Sequence, residues 1–104
     1  TAYNNVTRDS NGKWPDGTFP YDRSVDHIMK DFDIFGSVNV IFRVTGRSDM
    51  GIHSGRSNHR DELGKMGPEH VTEGCIRTTD EGAQAVNNLV NMNPYVKLTV
   101  KNNL

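Results

Sequence analysis

Residues 37–45, Ser-Val-Asn-Val-Ile-Phe-Arg-Val-Thr, restrict the fold more than any other stretch. Val38, Val40, Phe42 and Val44 alternate with Asn39, Ile41, Arg43 and Thr45. A period of two sends successive side chains to opposite faces, so this stretch is expected to be a strand with one apolar face. Gly36 opens it. Gly46-Arg47-Ser48-Asp49 is a turn, and Met50-Gly51-Ile52-His53 is expected to return as an antiparallel partner. His53 then stands at a strand end, held by a rigid element and facing a loop mouth.

The rest of the chain is read outward from that hairpin. With 104 residues and 11.6 kDa, residues 1–104 form one domain with one modest core. Ala2, Tyr3 and Val6 suit a short edge strand, and Asp9-Ser10-Asn11-Gly12 is a turn cluster. Pro15-Asp16-Gly17 is a turn flanked by Trp14 and Phe19, whose rings are expected to pin it to the core. Residues 24–32 read as a short helix with Ser24 as N-cap and Val25, Ile28, Met29 and Phe32 on one face. His27 is an ordinary histidine in that helix. Thr78-Thr79-Asp80-Glu81 reads as a capping box with Thr78 as N-cap. The helix it starts turns Ala83, Ala85, Val86, Leu89, Val90 and Met92 to the core and stops before Pro94. Residues 95–100 close the chain as an alternating strand. The expected class is α+β and β-rich: a mostly antiparallel curved sheet, or a sandwich, with two helices.

Composition narrows the function. Apolar residues make up 34% and mean hydropathy is −0.68, with no run near the roughly 20 apolar residues that cross a bilayer, so no membrane span is expected. A net charge of −1 argues against nucleic acid as a partner. The chain opens at Thr1-Ala2-Tyr3 with no basic-then-apolar leader, as expected of a cytosolic chain or of a processed or truncated one. A single cysteine excludes an intramolecular disulfide and multi-cysteine metal sites.

Chemistry concentrates in residues 51–79, which hold three of the four histidines and the only cysteine. Cys75 stands between Gly74 and Ile76-Arg77 rather than in an alternating apolar run, so it reads as a thiol meant to be reached. A thiol attacks as thiolate and needs a base, for which His53 is the better candidate. Ser54, or a nearby backbone carbonyl, would bond the second ring nitrogen and set the tautomer. Gly74 lets consecutive amides around Cys75 face a carbonyl oxygen as an oxyanion hole. The fork of Arg77 suits a substrate carboxylate. The following helix N-terminus would favour the thiolate. Residues 54–71 read as a long loop, a lid or binding segment, with disorder as the competing reading. Arg56, Arg60 and Lys65 make it locally basic and suited to an acidic peptide. His59 and His70 read as solvated loop residues, with His70 an alternative base. Two rival readings stand beside this one. The first is a metal site from His53, His59, His70 and Cys75 or Glu73, although neither a His-Glu-x-x-His nor a Cys-x-x-Cys pattern is present. The second is a non-catalytic cell-wall or protein-binding module with Cys75 packed inward. The order histidine before cysteine does not suit a papain-like peptidase.

His53-Ser54 followed by Thr72-Glu73-Gly74-Cys75-Ile76-Arg77 resembles the signature of L,D-transpeptidase (YkuD-like) catalytic domains. Pro15-Asp16-Gly17-Thr18-Phe19 is similar to the turn that precedes the site in that family. Glu73 stands where the family usually has histidine. The resemblance implies Cys75 as acyl-forming nucleophile, His53 as base and Ser54 as the base's neighbour. It also implies substrate contacts in the region of Thr72, Glu73, Arg77 and His70, and no metal or other cofactor. The substrate would be a peptidoglycan stem peptide, processed by L,D-transpeptidation, L,D-carboxypeptidation or amino-acid exchange. The setting would be the periplasm, the cell wall or a secreted form. A monomer is expected. Compact members that act as antibacterial effectors would add an immunity protein as partner.

Overall fold

The computed structural model describes residues 2–6, 12–26, 32–58, 60–72 and 74–101. In chain order they form β1 (Ala2–Tyr3), β2 (Gly17–Asp26), α1 (Phe32–Phe35), β3 (Val38–Phe42) and β4 (Gly51–His53). A 3-10 turn (Gly67–Glu69), β5 (Ile76–Thr78), α2 (Asp80–Met92) and β6 (Lys97–Val100) follow. The strands make one curled, mixed sheet in the order β1-β5-β4-β3-β2-β6. Every neighbouring pair is antiparallel except β4 and β5, which run parallel. The class is therefore α+β with a mostly antiparallel sheet, as expected from the sequence.

The hairpin of β3 and β4 is the centre. Val40 pairs with Ile52 and Ile41 with Gly51. Val38, Val40, Phe42 and Ile52 share one face and pack with Trp14, Ala83 and Val90 in the core. Trp14 is 0% exposed and meets the Phe19 ring edge-on at 6.0 Å, so aromatics do pin the Pro15-Asp16-Gly17 turn. On the opposite face Asn39 and Ile41 are buried as well, because α1 and residues 54–58 and 60–72 cover that side.

Several local expectations are corrected. Ser24 and Asp26 belong to β2, paired with Val40 and Val38, so no helix starts at Ser24. Its hydroxyl bonds Tyr21 and Asn87 rather than capping a turn. Residues 27–31, with His27, lie outside the described residues, as do residues 9–11 of the turn cluster. The N-cap of α2 is Thr79, whose hydroxyl accepts from the Gly82 amide, because Thr78 is still paired in β5. Ala83, Val86 and Val90 face the core, whereas Ala85 is exposed and Leu89 and Met92 are 55% and 85% exposed. Ala83, Val86 and Val90 form one stripe of the helix, and Ala85, Leu89 and Met92 lie on another that the sheet does not meet.

Burial sets the scale of a test. Trp14→Ala removes a wholly enclosed ring and should cost about 3–5 kcal/mol. Tyr95→Ala, at a site 87% exposed, should stay within about 0.5 kcal/mol. Urea midpoints with unchanged slopes check both values.

Candidate active site

The parallel pairing of β4 with β5 builds the site. Ile52 pairs with Ile76 and His53 with Arg77, and one step earlier in the same register Gly51 stands beside Cys75. Residues two apart share a face, so His53, Arg77, Gly51 and Cys75 occupy one side of the two strands. It is the side away from the apolar core.

His53 is 1% exposed. Its ring meets the Phe35 ring edge-on at 5.1 Å, and its Nδ1 lies 2.8 Å from the Ser54 carbonyl. A carbonyl only accepts, so Nδ1 carries the proton and Nε2 is the basic nitrogen. Ser54 is buried too, and its hydroxyl donates to the Asp80 carboxylate in the first turn of α2. The strand end that carries the imidazole is thereby tied to the helix. Its Ser54 amide is tied to the Phe35 carbonyl at 3.2 Å.

Cys75 is half-buried and reduced. Sγ accepts from the Gly51 amide and donates to the Asp49 carbonyl, both at 3.4 Å. The thiol thus sits just before β5, and its hydrogen bonds run to backbone at the start of β4 and in the turn before it rather than to the imidazole. Burial raises its pKa above the ordinary cysteine range. The Gly51 amide, Arg77 and Arg47 act in the opposite direction, while Asp49 adds to the rise. The expected help from a helix N-terminus is absent, because β5 separates Cys75 from α2 and the dipole fades within a turn.

Arg77 differs most from expectation. It is 2% exposed, and its guanidinium is surrounded by backbone carbonyls. Nη1 reaches His70 O and Val71 O at 3.0 and 2.9 Å, Nη2 reaches Ile34 O at 2.9 Å, and Nε reaches Ser54 O at 3.3 Å. Burial, then repulsion from Arg56, pulls its pKa down to about 10, so it remains a cation at neutral pH. A fork committed in this way holds the loop, not a substrate carboxylate. His70 joins the same cluster, with Nδ1 3.0 Å from Nη1 and 2.9 Å from Val71 O. Residues 54–72 are ordered from inside as well. The Asp61 carboxylate accepts from the Leu63, Lys65 and Val71 amides, and these bonds hold its pKa down against the opposing effect of burial.

Thr72 ties down the segment that leads to Cys75. Its hydroxyl donates to Cys75 O at 2.7 Å and accepts from the Gly74 amide at 3.1 Å. The Gly74 amide, expected in an oxyanion hole, is therefore already bonded. Glu73 and His59 lie outside the described residues. Among those described, no group of three His, Cys, Asp or Glu side chains is arranged to hold a metal.

Three contributors escaped sequence reasoning. Asn4 donates to both Gly74 O and Cys75 O, at 2.7 and 2.9 Å, and accepts from the Trp14 amide. Arg47 bonds the carbonyls of Gly12 and Lys13 and lies against Gly74, where a Cβ would overlap its Nη2. Asn39 is 6% exposed, and its Oδ1 is buried with no hydrogen-bond partner among the described residues. An unpaired buried polar atom costs about 1–3 kcal/mol. Only the polar position within an otherwise apolar strand hinted at Asn39. For Asn4 and Arg47 the signal lay in contacts remote along the chain.

No family model, curated protein or solved structure matches the chain.

Two measurements follow from this geometry. Alkylation of Cys75 by iodoacetamide should accelerate only at pH values above about 8.5, the ordinary thiol value, and Arg47→Gln should move that rise to still higher pH. Arg77→Met leaves several buried carbonyls unpaired, and should cost about 3 kcal/mol or more and lower Tm by at least about 10 °C in thermal melts.

Proposed function

We propose that the protein is a cysteine acyltransferase of the L,D-transpeptidase kind, acting on peptidoglycan stem peptides. The carrying observation is the β4–β5 register, in which the strand holding His53 runs directly beside the one that Cys75 opens. Two further features support it. The Nδ1 bond to Ser54 O leaves Nε2 as the base, and the Gly51 amide already faces the sulfur.

In this reading His53 Nε2 takes the Sγ proton as the sulfur adds to the acyl carbonyl. Collapse breaks the C–N bond, and the imidazolium returns the proton to the leaving amine, giving a Cys75 thioester. An acceptor amine then gives exchange or crosslinking, and water gives carboxypeptidase activity. The raised thiol pKa makes proton transfer to His53 part of the attack rather than a step before it. Arg77 acts through the scaffold, and substrate carboxylates are left to Arg56, whose intermediate exposure suits that contact.

The thiol's bonds to backbone also favour a second reading, a non-catalytic cell-wall or protein-binding module. Mass spectrometry of purified muropeptides separates the two. The wild type should trim or exchange stem peptides, Cys75→Ala should abolish turnover, and His53→Gln should lower it by about 10²–10⁴-fold. Unchanged stem peptides with every protein, together with retained binding by Cys75→Ala, would leave the binding module standing.

A further inference from the structure

Asn39 stands in the central strand, paired with Val25 of β2, and one step beyond the Val40–Ile52 pair the same register sets it level with His53 of β4. Its amide does not simply stand above its own strand. It lies over Gly51, so closely that a Cβ on Gly51 would overlap Oδ1. The amide of that same glycine donates to Cys75 Sγ. The oxygen is therefore carried toward the sulfur side of the face, enclosed, and without an acceptor's usual donor among the described residues. Leucine fills a similar volume without a polar atom, so packing alone gives no reason for an amide here.

We propose that Asn39 Oδ1 is a substrate contact: it accepts the N–H of a peptide group of the acyl donor lying across Gly51 beside Cys75. This rests on the acyl-transfer reading above and specifies what the site recognises, an extended peptide with a free amide N–H next to the reacting carbonyl. The absence of a side chain at Gly51 serves the contact, since it lets the Asn39 amide lie over the residue whose N–H faces the sulfur.

The assay is steady-state turnover of a purified stem peptide by wild type, Asn39→Leu and Gly51→Ala, with a thermal melt of each. Asn39→Leu should raise KM about tenfold with kcat within about twofold, while Tm is unchanged or higher because an unpaired polar atom has been removed. Gly51→Ala keeps the asparagine but displaces its amide, and should raise KM similarly. A stem peptide methylated at that nitrogen should show the wild type's KM raised to the level of Asn39→Leu. Full wild-type KM in Asn39→Leu overturns the assignment while leaving the acyl-transfer reading intact. A wild type that turns over no stem peptide overturns that reading and this contact with it.

Discussion

A buried guanidinium surrounded by carbonyl oxygens is the interaction on which the rest of this structure depends. Arg77 draws Ser54 from the end of β4, His70 and Val71 from the 3-10 segment, and Ile34 from α1 onto one planar group. Each of those carbonyls belongs to backbone that no sheet ladder reaches. Ser54 O and Val71 O also have an imidazole nitrogen beside them, whereas His70 O and Ile34 O rely on the guanidinium. A lysine offers a point charge and three donors on a flexible stem, and does not reproduce a flat fork pointing in several fixed directions. The charge is costly to bury, as its lowered pKa shows. Directional hydrogen bonds to several carbonyls offset that cost.

Cover on both faces explains why so small a chain encloses polar residues. The sheet packs its apolar face against α2 and its polar face against loops. His53, Asn39 and Arg77 lie on the second face and are buried. The thiol sits at the margin of this region, bonded to the backbone of Gly51 and Asp49. Burial pushes the thiol pKa up, against the opposing effect of the Gly51 amide and of Arg77. The same enclosure strengthens every dipole near the sulfur.

Local pattern carried far where local forces decide the outcome. Alternation from Val38 to Val44 marked β3, and the antiparallel return through Gly51 to His53 followed from the turn between them. Pro94 and the threonines before Asp80 bounded α2 to within a residue. Residues 24–26 show the limit. Their helical spacing and cap residue were outweighed by hydrogen bonds to β3, which sequence proximity does not reveal. Residues 54–71 show it again, since their charges and glycines leave lid, binding loop and disorder open, whereas Asp61 and Arg77 both bond Val71 and tie its end of the loop down.

By itself the amino-acid order determined an α+β domain centred on one hairpin, and a histidine and a cysteine of the right types to work together. Those properties follow from periodicity, turn chemistry and side-chain reactivity, all of which act over a few residues. Only the tertiary structure decided that β5 runs parallel to β4, that Arg77 faces inward, and that Asn4, Arg47 and Asn39 gather around the cysteine turn. Parallel pairing and buried hydrogen bonds join residues tens of positions apart, and the energy that selects them exists only once the chain has closed upon itself.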